Sequence, residues 1–148
     1  MDSNPLRRKS LPYEIDTFSF VIRAVQGYSG VESEKILRMI GADMGHAVSQ
    51  KLEASNVEQL LEEIGELSRD LKIGEMEVTQ ETPIQLTFRR CLGCDQIPGP
   101  GQSVHCPFRE ALLKTVIDAK LGVNSTVKFL GSSGSEWGMK DCRFQVDL

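Results

Sequence analysis

The apolar residues of this chain recur at helical spacing up to Leu71 and at alternate positions from Met76 onward, and that change of period constrains the fold more than any other feature. Phe18, Val21, Ile22 and Val25 fall on one stripe between Asp16 and Gln26, ended by Gly27 and the Ser29-Gly30 pair. A second helix starts over Ser29 to Glu32 and carries Ile36, Leu37, Ile40, Met44, Ala47, Val48 and Leu52 to about Ala54. Within it Gly41 and Gly45 stand one turn apart, each costing about 1 kcal/mol relative to Ala. The spacing predicts that a neighbouring element approaches the backbone there. Asn56 is placed to N-cap a third helix with Val57, Leu60, Leu61, Ile64, Leu67 and Leu71 inward, ended by Gly74.

Beyond Gly74, Met76 and Val78 alternate with Glu75, Glu77 and Thr79. After Thr82-Pro83, Ile84, Leu86 and Phe88 alternate with Gln85, Thr87 and Arg89, which together read as a β-hairpin. Cys91 to His105 reads as a loop, carrying Gly93, Pro98, Gly99, Pro100 and Gly101. Cys106-Pro107 opens a helix running to Gly122, with apolar stripes on two faces, so it is expected to be covered on more than one side. Two strands follow, Thr126 to Leu130 and Asp141 to Leu148; Cys142, Phe144, Val146 and Leu148 face one way, and Gly131 to Ser135 reads as the hairpin loop between the strands. The expected class is α+β: three N-terminal helices, a hairpin, a central helix and a C-terminal hairpin, the four strands forming one antiparallel sheet packed on the helices.

With 148 residues and 40% hydrophobic content, the chain suits a single domain with a continuous core, expected over 13–148 after an N-terminal arm at 1–12. Pro5 and Pro12 bracket that arm, which holds the basic run Arg7-Arg8-Lys9. A net charge of -4 supplies no overall basic field for a phosphate backbone, so nucleic acid is not expected as the main partner. No apolar stretch approaches the ~20 residues that cross a bilayer, and no apolar segment follows the basic run as in a secretory leader. The expected location is cytoplasmic, with thiols reduced or metal-bound.

Four cysteines fall as Cys91-x2-Cys94-x11-Cys106-x35-Cys142. Thiolates two residues apart on a tight turn can take two corners of a tetrahedron, and two more brought in by the fold close a structural zinc site. Cys106 at a helix N-terminus gains from the dipole, which favours thiolate over thiol. His105 is the alternative ligand. An iron-sulfur cluster is a second use of four thiolates, and an exchangeable Cys91-Cys94 disulfide a third. Four unrelated thiols are the structural alternative.

The C-terminal sixty or so residues resemble the 4-vinyl reductase (hydrocarbon-binding) domain family. Its end has a cysteine opening a helix, a hairpin, then Gly-x3-Cys-x-Phe-x-Val, which here reads Cys106 before the helix and Gly138-Met139-Lys140-Asp141-Cys142-Arg143-Phe144-Gln145-Val146. The resemblance implies the fold of nitric-oxide-sensing haem domains and of Golgi-tethering TRAPP subunits: an antiparallel sheet on helices, usually dimeric through N-terminal helices. It also implies zinc beside an aromatic-effector pocket, as in phenol-sensing activators carrying this domain. The family pattern adds a Glu and a Cys where this chain has Gly131 and Gly134; Cys91 and Cys94 are the substitute donors, giving Cys91, Cys94, Cys106 and Cys142 as the expected zinc ligands.

The apolar residues Met39, Met44, Phe18, Phe20, Phe88, Phe108 and Phe129 are core by default and line a ligand cavity if the interior is incompletely filled, Trp137 is a packed anchor or a lid, and Phe88, Phe108, Leu112, Phe129 and Trp137 are the expected pocket residues. No Ser/His/Asp set, paired carboxylates or Walker-type loop is present, and a full thiolate shell leaves zinc no open position, so catalysis is disfavoured. The expected function is a zinc-containing, homodimeric binding or sensory domain for a small hydrophobic or aromatic molecule. The alternatives are a reductase-associated factor acting on a tetrapyrrole vinyl group, and a thiol-redox or assembly subunit.

Overall fold

The computed structural model describes residues 33–71, 74–89, 106–134 and 140–148. The arm at 1–12 and the helix expected over Asp16 to Gln26 lie outside the described residues. Within them the chain is α+β: α1 (Ser33–Ser49), α2 (Val57–Asp70), β1 (Glu75–Glu81), β2 (Ile84–Arg89), α3 (Cys106–Leu121), β3 (Thr126–Gly134) and β4 (Lys140–Asp147).

The strands form one antiparallel sheet in the order β1-β2-β4-β3. α3 lies over β3 and is covered on its other side by α1, while α2 packs on β1. That sandwiched position explains two apolar stripes on one helix: Phe108, Leu112, Leu113, Val116 and Ile117 are all buried. The two helices meet very closely. A β-carbon on Gly41 would stand 2.3 Å from the Phe108 carbonyl oxygen, and one on Gly45 2.8 Å from the Thr115 β-carbon. The glycine pair therefore does what its spacing predicts, admitting α3 against the backbone of α1.

Local chemistry sets the element ends. The Asn56 side chain accepts a hydrogen bond from the Gln59 amide at 2.9 Å and caps α2. α3 stops where Gly122 adopts φ +65 and donates its N–H to the Asp118 carbonyl at 2.9 Å. α1 ends at Ser49 rather than near Ala54, short of its apolar stripe, while the start expected over Ser29 to Glu32 lies outside the described residues. At its C-terminus Ser49 Oγ donates to the His46 carbonyl and Lys51 N–H to the Val48 carbonyl, both at 2.9 Å. Leu52 and Ala54 remain buried as the chain turns, so the stripe reports burial past the helix end.

Three further details differ from the sequence reading. β1 is the edge strand among the described residues, and Val78, expected to face inward with Met76, is 40% exposed; the register shifts between Val78 and Gln80. β3 continues through Gly134, because Gly131 at φ +130 takes up a register shift and the chain resumes pairing with β4, where a loop was expected. Leu148 lies beyond the end of β4 and is 58% exposed, unlike buried Cys142, Phe144 and Val146.

Polar side chains fasten α3 on two sides. Glu110 accepts from Arg38 of α1 at 2.9 Å and from the Phe129 amide of β3 at 2.9 Å, joining three elements through one carboxylate. Asp118 accepts from Lys114 at 2.8 Å and from the Ser125 amide at 2.7 Å, where the chain turns into β3. Burial disfavours the charge on Asp118, but the hydrogen bonds from Lys114 and Ser125 outweigh it and hold this carboxyl below its ordinary pKa.

Candidate functional site: a cavity between the helices and the sheet

Two hollows differ in kind. The larger, about 990 Å3, is an open groove between α2 and β1 with Glu58, Glu62, Glu66, Glu75, Glu77 and Glu81 among its walls. An apolar molecule would gain little from that carboxylate-rich, solvent-filled trough. The smaller is enclosed by all three helices and β2: Met44 and Val48 from α1, Ile64, Leu67, Ser68 and Leu71 from α2, Phe88 from β2, and Arg109, Leu112, Leu113 and Val116 from α3. Its volume is about 20 Å3, room for roughly one water molecule. Leu71, part of its wall, is 42% exposed.

Among the described residues of that wall Arg109 alone is charged, and it is 3% exposed. A buried guanidinium is expensive to desolvate unless something compensates. Part of the compensation is visible: its central carbon lies 4.2 Å from the centre of the Phe88 ring, a cation-π contact worth about 2 kcal/mol when desolvated. Phe88 is held in turn against Phe144, edge to face, at 5.6 Å between ring centres.

The expected pocket residues separate. Phe88 and Leu112 line the cavity. Phe108 is fully buried with its carbonyl against Gly41. Phe129 packs on the far side of Phe144, 5.4 Å between ring centres. Trp137 lies outside the described residues. Met44, one of the apolar residues expected to line a cavity in an incompletely filled interior, is in the wall, whereas sequence reasoning passed over Arg109 and Ser68. The signal was present for Arg109: with Leu113 and Val116 it occupies positions i, i+4 and i+7 of one stripe, a charge where an apolar side chain is expected.

Of the expected metal ligands, Cys91, Cys94 and the alternative His105 lie outside the described residues, as does the side chain of Cys106. Cys142 is buried on β4, and its register partner on β2 is Phe88. β2 ends at Arg89, and Cys91 follows two residues later. Cys106 opens α3 about one turn before Arg109, whose guanidinium covers the same Phe88. Four thiolates are a donor set suited to closed tetrahedral zinc. Among the described residues, no three His, Cys, Asp or Glu side chains form a metal-binding group.

No described helix is long and apolar enough to cross a membrane. No family model matches the chain. It is 24% identical over 121 residues to an uncharacterized protein, MJ1642, of Methanocaldococcus jannaschii, covering 82% of this chain and 68% of that one. Among solved structures it is similar to a vinyl-4-reductase family protein from Methanocaldococcus jannaschii, with a TM-score of 0.53 and 13% identity, over 93% of this chain and 98% of the other. The chain therefore has the fold of a vinyl-4-reductase family protein, the fold its C-terminal motif led us to expect.

Proposed function

We propose that this domain binds a small, largely apolar molecule in the cavity between α1, α2, α3 and β2. The observation that carries the reading is the wall itself: among the described residues, aliphatic side chains and Phe88 enclose a space into which Arg109 and Ser68 alone bring polar groups. A few placed polar groups in an apolar enclosure is the usual composition of a small-molecule site. Binding requires the cavity to widen. Met44, unbranched and half-buried, and the partly exposed Leu71 are the side chains that can swing aside.

In the same reading Cys91, Cys94, Cys106 and Cys142 hold one zinc ion that ties the 91–105 segment to β4 beside Phe88, and the chain acts as a homodimeric binding or sensory domain rather than an enzyme. Support comes from the Phe88–Cys142 register and from the place of Cys106 at the start of α3. The test of the ligand reading is thermal melting against small aromatic and aliphatic compounds, since a molecule that binds only the folded chain raises its melting temperature with dose. A dose-dependent rise is expected for some members. A flat response across a chemically broad panel overturns the reading.

A further inference from the structure

We propose that the groove between α2 and β1 seats this chain's own basic segment, Leu6-Arg7-Arg8-Lys9-Ser10-Leu11, through charge on α2 and apolar contact with the hairpin β1-β2.

Glu58, Glu62 and Glu66 stand four residues apart on α2, so they form one row along the helix, exposed in the wall of the groove. Like charges at that spacing repel one another. Elsewhere in the fold carboxylates are matched with cations: Glu34 and Glu110 with Arg38, Glu77 with Arg89, Asp118 with Lys114. Among the described residues, the row on α2 has no such ion pair. Of the two arginines in the same wall, Arg89 is taken by Glu77 and Asp141, and Arg69 stands beyond Glu66 at the end of the helix. The groove also has an apolar side, lined by Met76, Val78 and Ile84, of which Val78 is 40% exposed. An occupant matched to both halves carries cations and apolar side chains together.

The segment from Leu6 to Leu11 has that composition. Leucines flank its three cations, and Pro5 and Pro12 bias Asn4 and Leu11, the residues before them, towards extended backbone. Its six residues span about 20 Å when extended, close to the roughly 23 Å of the seven residues of β1. The linker is long enough. Residues 10–32 join the run to Ser33, and even with the helix expected over Asp16 to Gln26 the remainder reaches about 40 Å, which is roughly the diameter of a domain this size. Because both partners belong to one chain, the encounter is intramolecular, and ion pairs that are individually weak suffice.

The test is trypsin cleavage after Arg7, Arg8 and Lys9 in the full chain, read by mass spectrometry of the released peptides. Rates are scaled to a free peptide of residues 1–15 in the same buffer. At about 20 mM salt the chain is expected to be cut about fivefold more slowly than the peptide. At about 1 M salt, where screening acts within about 3 Å, the difference should vanish. Combining Glu58→Gln, Glu62→Gln and Glu66→Gln should remove the protection in dilute buffer without lowering the melting temperature. The salt series on the unaltered chain needs no variant, so a poorly folding triple variant still leaves the proposal decided. Cleavage at the free-peptide rate in dilute buffer overturns it, as does protection that neither salt nor the triple variant changes. Protection that rises with chain concentration gives the groove to the segment of a second copy and overturns the intramolecular seat.

Discussion

The Phe108 carbonyl oxygen lies 2.3 Å from the point where a β-carbon on residue 41 would stand, so the seam between α1 and α3 is set by an absent side chain meeting a backbone atom. A backbone oxygen inside a helix cannot rotate away. Gly41→Ala should destabilise the chain by about 3 kcal/mol, the upper end of overpacking effects, despite alanine's better helix propensity. Gly45→Ala meets the Thr115 side chain at 2.8 Å and should cost less, about 1–2 kcal/mol. Urea denaturation of both variants checks the order; equal stabilities would mean that the helices do not pack this closely.

Asp118 gives a pH signature. Its carboxyl is held below the ordinary value by Lys114 and Ser125 despite burial, so its stabilising effect is complete above the unfolded-state pKa, near 3.8, and is lost as pH falls through the lower folded value. Asp118→Asn should cost about 1–2 kcal/mol at pH 7. The gap between variant and parent should close as pH drops below about 4. Denaturation midpoints measured from pH 7 down to about 2.5 test this, and a gap that is independent of pH contradicts it.

The Arg38–Glu110 pair is a joint between α1 and α3, but Arg38 is 44% exposed on its side chain against 16% for Glu110. Solvent at the arginine end should keep their coupling near 1 kcal/mol or below in a double-mutant cycle. Glu110→Gln alone should cost more than Arg38→Gln, since Glu110 also accepts the Phe129 amide inside the fold.

For the zinc reading, chain purified under reducing conditions should contain one zinc per molecule by elemental analysis. Cys142→Ser should lose it and lower the melting temperature, because a structural metal contributes folding free energy directly. His105→Ala should retain the metal. Four readily alkylated thiols with no zinc would remove the metal from this account.

The order of elements was legible because period and punctuation agreed: Asn56 before Val57, Gly122 after Leu121, and alternation through β2 and β4. The reason Val78 and Leu148 escaped is that alternation identifies a strand without saying whether another strand lies beyond it or where pairing stops. Gly131 misled for a related reason, since glycine marks a bulge within a strand as readily as a loop. The cavity was half legible. Phe88 and Leu112 stood out as large apolar residues, whereas Arg109 became meaningful only once the fold set it over an aromatic ring from a strand some twenty residues earlier in the chain.

The position of β1 at the rim of the sheet has a consequence for how copies of this chain meet. A border strand offers backbone donors and acceptors to any extended neighbour, and Val78 adds a greasy invitation. Exposed carboxylates on the same strand answer it, Glu81 among them and Glu77 shared with Arg89, so two identical rims meet like charge before they can zip together. Acid or concentrated electrolyte weakens that like-charge barrier, so neutral, dilute buffer is the condition that favours separate rims.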